Sequence, residues 1–401
     1  MIGGVDLTAF IRLQQGIRVK RVSLNVELAR NDHLSVQGSV LYDAARGGSR
    51  FLLHPRLDLK TVSMDGAPSQ YSRSGPLVQL SDSPGTHRLA VSYAGSLPSG
   101  GGLGISGTSF DLNVNLLWYP ILVGGSRIDF DLQLLLPIGA TAVFPSVARR
   151  RGDRVSLQST IDAPLVGGEV KGRSRGRGLA VYSLVRDDTR DLQRIAKEVV
   201  EWQEKKWGPL PFRPLRVVET WRHELGAYSR EGLIVAQNLT DDSVEGSFQK
   251  LVHETAHQWW GLDVLPGESW FQEDWLSEGL ATYCEYLWTR EKWGQARAEL
   301  FLDNARNAVR GMNGSLVAAS PWTPTGWTLT RSGGLLVLVA LENQVPNLLE
   351  RLRRFRERHR GSFVTTRALM ADLVPSASES WLQAHLIEER AWPGDLPNPD
   401  G

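Results

Sequence analysis

Residues 251–261 read LVHETAHQWWG. On an α-helix, residues four apart lie one above the other on one face. His253 and His257 can therefore aim two imidazole nitrogens at a single point. Zinc takes such nitrogens at about 2.0–2.1 Å in tetrahedral geometry. Glu254 sits one step round the helix, placed to reach a water beside the ion rather than the ion itself. This is the His-Glu-x-x-His arrangement, in which the glutamate serves as general base. Gly261 offers a C-cap. A core helix with two satisfied histidines would carry the same letters, so the reading turns on a third ligand.

That ligand is sought downstream, in DWLSEGLATYCEY at 274–286. A second helix is expected to start near Glu273, carrying Glu278 and then the small residues Gly279 and Ala281, which let two helices approach. Two histidines and a glutamate with one open position form the catalytic kind of zinc site. A structural site is normally closed by four protein ligands, and with Cys284 as the single cysteine a thiolate-rich one is impossible.

Upstream the chain reads as strands. Val22, Leu24, Val26 and Leu28 alternate with polar neighbours, the period of a half-buried strand. LSVQGSVLY, LDLKTVSMDG, HRLAVSYAG, FDLQLLLP and GRGLAVYSL continue the pattern, punctuated by Asp65-Gly66 and by SLPSGGGLGISG. Such spacing predicts a sandwich or a large curved antiparallel sheet. Near residue 187 the period changes. Asp187 or Asp188 can cap a helix with Leu192, Ile195, Val199 and Trp202 on one face, ending at Gly208-Pro209. Two strand-like pieces, LRVVETW and GLIVAQN, precede a mostly helical remainder from about Ser243. The expected domains are 1–187 and 188–401.

Composition narrows the function classes. With 401 residues, 41% of them hydrophobic, the chain can form two or three folded domains. A net charge of +1 gives no bulk field toward nucleic acid or membrane. Arg149–Arg151 and KGRSRGR at 171–177 are basic but lack interleaved aromatics, so solvated loops are expected and no nucleic-acid partner. No stretch approaches the roughly 20 apolar residues of a membrane span. The N-terminus does not resemble a signal peptide, so a cytoplasmic location is expected, or export if the start has been trimmed. Among fourteen tryptophans, Trp259, Trp260, Trp270, Trp275 and Trp288 crowd the two zinc helices and are expected to be mainly core.

HETAHQWWG followed by WLSEGLATYCEY resembles the aminopeptidase-N-like gluzincin metallopeptidases. HRLAVSYAGSL, Trp118-Tyr119-Pro120 and FDLQLLLP are similar to that family's N-terminal saddle-shaped β domain. The resemblance implies a multidomain fold: an antiparallel saddle-like β domain, then a thermolysin-like, mostly helical catalytic domain. It implies one zinc ion held by His253, His257 and Glu278, with Glu254 activating water. The family's usual C-terminal extension is not seen. Glu285, seven residues beyond Glu278 and on the same helix face, either orients a ligand histidine or is an ordinary surface charge.

Three departures from the family stand out. Twenty residues separate His257 from Glu278 where the family has eighteen, and the extra pair is expected in the loop VLPGESWFQ. Glu268 and Glu273 are weaker ligand candidates, since the small-residue helix follows Glu278. The family's Gly-Ala-Met-Glu-Asn strand corresponds to Gly226-Ala227-Tyr228-Ser229-Arg230, so Ser229 stands where a glutamate grips the substrate amine. Glu231 replaces it only if the strand stays extended, and Gly232 suggests a turn. The backbone of Gly226 and Ala227 can still pair with an extended peptide. Finally, TLTRSGGLLVLVALE holds no tyrosine for the tetrahedral oxyanion; Thr330 or Arg331 falls there, and Tyr228 or His223 offers a donor from the strand side.

The expected function is hydrolysis of peptide bonds in a peptide or protein substrate, as an aminopeptidase or an endopeptidase. The alternative is a weak or inactive zinc-binding pseudo-peptidase serving as a peptide-binding or scaffold module.

Overall fold

The structure is a computed structural model. It describes all residues except 1–9, 11–15, 30–31, 98–102, 123–126, 222–225, 238, 240–243, 268–271, 375–385, 389 and 392–401. His223, Glu268 and Trp270 therefore lie outside the described residues. The chain divides into two compact units. The first is Met1–Gln193 with Phe212–Asn238, and the second is Arg194–Pro211 with Leu239–Gly401.

The first unit is built on strands. Its largest sheet has eight, in the order Arg149–Arg151, Arg154–Ser159, Ile128–Leu135, Ile17–Leu28, His33–Ala44, Gly85–Ser96, Leu57–Met64 and Ala67–Pro68. Val22, Leu24, Val26 and Leu28 are buried and their neighbours are not, as the alternation predicts. All pairings are antiparallel except one: Ile17–Leu28 runs parallel to Ile128–Leu135, with Val22 opposite Phe130 and Leu24 opposite Leu132. The basic clusters are edge strands rather than loops. Arg149–Arg151 ends the eight-stranded sheet, and Gly172–Gly176 ends another. Charged side chains on an edge discourage pairing with a second sheet.

That other sheet has five strands, ordered Gly172–Gly176, Leu179–Ser183, Leu215–Thr220, Leu233–Gln237 and Ala227–Arg230. The three central strands are parallel and both edges are antiparallel. Val218, Leu233 and Val235 pack with Val143, Val166 and Leu184 in one apolar cluster. The sheet takes strands from both sides of residue 187, which we retain as a proposed limit of the strand-rich half rather than of a compact unit.

The second unit is helical. A helix spanning the unit limit, Arg190–Trp207, precedes Gly208 (φ +87°). The histidine helix is Val244–Ala256 and the glutamate helix is Trp275–Trp293. Further helices are Gln295–Val309, Pro324–Thr328, Gly334–Gln344, Leu348–Arg358 and Thr366–Leu373. Trp259, Trp260, Trp275 and Trp288 are fully buried, so these tryptophans are core. No helix among the described residues is long and apolar enough to cross a membrane.

Candidate metal centre

The histidine helix stops at Ala256, one residue before its second histidine. The turn nevertheless closes, with the His257 amide 3.4 Å from the His253 carbonyl. Both rings thus stay on one face. Gly261 is not an immediate cap, since the helix ends earlier. It has φ +114°, and a Cβ there would meet Ser277 Oγ at 2.3 Å, so glycine lets the chain after the helix pass close to the glutamate helix.

Three donor atoms meet. His253 Nε2 lies 3.1 Å from His257 Nε2 and 3.1 Å from Glu278 Oε2, and His257 Nε2 lies 3.6 Å from Glu278 Oε1. Atoms about 2.0–2.1 Å from a tetrahedral zinc lie about 3.3 Å from one another. The observed edges bracket that value, and the donor set fits one zinc ion. Glu254 is buried on the same helix.

The far side of each ring fixes its direction. His253 Nδ1 is 2.6 Å from Glu285 Oε1, and His257 Nδ1 is 3.2 Å from the Trp260 carbonyl. When Nδ1–H donates outward, the Nε2 lone pair points to the shared point. Glu285 is thus a buried partner of a ligand ring, not a surface charge. Ser277 also bonds His257 Nδ1, at 3.0 Å, and donates to the Trp260 carbonyl. No periodicity marks this serine in the sequence. Burial and the Arg331 guanidinium pull the His253 ring down, but Glu285 and Glu278 outweigh them and hold it up at about 9. Burial holds the His257 ring below its usual value. Burial works against the Glu278 charge, yet His257 and His253 keep its carboxyl far below the usual range. Metal uptake at such a site displaces a proton.

Arg331 reaches the centre through backbone packing. Gly279 of the glutamate helix faces Gly334, and a Cβ on Gly279 would meet Gly334 Cα at 2.9 Å and the Thr330 carbonyl at 3.1 Å. This approach brings up a π-helical turn, Leu329–Gly333. Arg331, at its middle, donates from Nη2 to Glu285 Oε1 at 3.3 Å, and its Nε is 4.0 Å from Glu278 Oε2. Its guanidinium lies 4.9 Å over the Trp327 ring. Thr330 is buried, its hydroxyl given to the Trp327 carbonyl. Glu273 is no ligand: its carboxylate accepts from the Thr366 amide.

The strand residues belong to the first unit. Ala227–Arg230 is an edge strand, with Ala227 opposite Ala236 and Ser229 opposite Ile234. Gly226 precedes it and accepts from the Gln237 amide. Extension ends at Arg230, and Gly232 turns with φ +73°. The expectation that Glu231 takes over from Ser229 fails here, because the turn carries its carboxylate inward. Ser159 Oγ and the Thr160 amide donate to it at 3.2 Å. Tyr228 gives its hydroxyl to Asp111 at 2.9 Å, so that proton is already engaged.

Fold and donor set are together those of the zinc metallopeptidases as a class. Residues 218–316 match the Peptidase family M1 domain. In fold the chain is similar to an M1 zinc metallopeptidase from Deinococcus radiodurans, at 20% identity and a TM-score of 0.64, covering 96% of each chain. A mutant of a Deinococcus radiodurans M1 zinc metallopeptidase bound to a Tyr-Ser-Ala substrate aligns at 18% identity and a TM-score of 0.64, again over 96% of each chain. Native yeast LTA4 hydrolase aligns at 15% identity and a TM-score of 0.70, covering 94% of this chain and 69% of that one. No curated protein matches in sequence. The chain belongs to the aminopeptidase-N-like gluzincin family.

Proposed function

We propose that the chain hydrolyses peptide bonds, with Glu254 as general base. The observation that carries this reading is the convergence of His253 Nε2, His257 Nε2 and Glu278 at tetrahedral-edge distances. Zinc, when held there, polarises a scissile carbonyl and brings the pKa of its water toward about 7. Glu254 takes the proton from that water and hands it to the leaving amine. Glu285 and Ser277 keep the two imidazoles aimed. Arg331, its side chain 28% exposed, is the donor we assign to the developing oxyanion; Tyr228 is spent on Asp111.

The related Deinococcus structure with Tyr-Ser-Ala supports a peptide as substrate. Gly226, Ala227 and Ser229 line a strand whose outer edge suits an extended peptide by strand addition. Ser229 brings no countercharge for an α-amine, and Glu231 is turned inward, so a strict aminopeptidase is not required. We propose residues 188–401 as the thermolysin-like peptidase domain. Cleavage of paired free and N-terminally blocked peptides by zinc-loaded protein tests the reading and separates exopeptidase from endopeptidase. Turnover of either, lost in Glu254→Gln, supports it. Full zinc occupancy with no turnover on a broad peptide library supports the alternative, a peptide-binding pseudo-peptidase, which the missing tyrosine and Ser229 favour.

A further inference from the structure

A second acid shares the face of the glutamate helix that carries Glu278. Asp274 is its N-cap residue, with helical φ −61° and ψ −16°. Side chains four apart on a helix have Cβ atoms about 5–6 Å from each other. Asp274 therefore faces where Glu278 faces. It is 9% exposed.

Its surroundings set it apart from the other buried acids of this unit. Asp263 is held by Arg356, and Glu285 by His253 and Arg331. The Asp274 side chain makes no capping bond, and its oxygens have no hydrogen-bond partner among the described residues. Neither oxygen is fully enclosed, so the carboxyl opens onto space rather than onto packed protein. It is not a fourth ligand, since the clustered donors are His253, His257 and Glu278. Burial pushes its carboxyl well above the usual range, and the charge of Glu278 pushes it further. A buried carboxyl in this state gains most from a cation beside it. Glu254, Glu278, Glu285 and Asp274, set against Arg331 and one divalent ion, leave a single negative charge in excess.

We propose that Asp274 is a specificity residue, the countercharge for a cationic group of the peptide being cleaved. The group is an ammonium or guanidinium, from a free N-terminus or from a basic side chain. This rests on the peptidase reading and adds to it a carboxylate on the glutamate helix, where the family strand has lost its own.

The test uses the full zinc-loaded chain and two matched peptide pairs. One pair is N-terminally blocked and carries lysine or norleucine beside the scissile bond. The other carries neutral side chains and a free or an acetylated N-terminus. In at least one pair the cationic member is expected to be cleaved with kcat/KM about tenfold higher or more, the size of one retained charge contact. Which pair responds identifies the source. In Asp274→Asn that ratio falls to within about twofold, and Asp274→Glu restores most of it. Equal cleavage within both pairs by the unmodified chain overturns the proposal, as does a preference that survives in Asp274→Asn. Equilibrium binding of the same peptides to Glu254→Gln reads the preference without turnover. A chain that binds cationic peptides through Asp274 but never cleaves them sinks the peptidase reading alone.

Discussion

The histidine helix and the Ala227–Arg230 strand each carry a family motif, and they have diverged differently. On the helices every acid the motif calls for is present and aimed: Glu254 is buried, Glu278 meets both rings, and Glu285 backs one of them. On the strand the acid has moved two residues, and the turn at Gly232 has taken it into the interior of the first unit. The difference teaches that a helix conserves direction while a strand end does not. A residue four along a helix keeps its face, whereas a residue two along a strand keeps its face only while extension lasts.

The largest effects are expected at the metal centre. Glu278→Gln removes one of three ligands, and zinc per chain, measured by metal analysis after gel filtration, should fall from one to near zero. Glu254→Gln should keep its zinc and lose about 10²- to 10⁴-fold in kcat, the usual share of a general base. Equal loss of zinc in both variants would break the division between ligand and base. Glu285→Gln comes next. Partners of ligand histidines typically matter about 10- to 100-fold in metal affinity or activity, and competition with a chelator should show that loss. An unchanged zinc affinity would return Glu285 to the status of a bystander.

Gly279→Ala probes how the helices hold Arg331. The added methyl meets Gly334 Cα and the Thr330 carbonyl, both backbone atoms that cannot swing away. Overpacking of this kind costs about 1–3 kcal/mol. Thermal unfolding should register it, and kcat should drop with it as the π turn shifts Arg331 from Glu285. A normal melting temperature would mean that the two backbones have room to separate.

The zinc triad was legible because helix period and ligand spacing are local rules, and the buried alternation from Val22 to Leu28 was legible for the same reason. Ser277, Asp274 and the reach of Arg331 were not. Each depends on packing between segments far apart in the chain: Gly279 against Gly334, or the Trp260 carbonyl against the glutamate helix. The parallel pairing of Ile17–Leu28 with Ile128–Leu135 was hidden too, since alternation shows which face is buried but not which strand lies beside it. Glu231 was misjudged at a strand end, where one glycine with positive φ reverses the direction of everything after it.

The smallest effect is expected on the strand side, at Glu231. Ser159 and Thr160 hold its carboxylate. Burial nonetheless raises its carboxyl above the ordinary 4.5, against those bonds and the Arg230 charge. The unfolded chain therefore gives up this proton at lower pH than the folded one. Its contribution to stability is complete below about 4.5 and declines as pH rises through the folded value. Glu231→Gln keeps the shape and an acceptor but has no proton to lose. Urea melts at stepped pH should thus show the variant gaining on the parent chain between pH 4 and 7, by about 1 kcal/mol or less. The ratio of free to blocked peptide cleavage should stay within about twofold, because a carboxylate bound by Ser159 and Thr160 is not available to an amine. A ratio that collapses in Glu231→Gln would show that the acid does leave the interior to meet substrate, and the contrast between the two motifs would no longer hold.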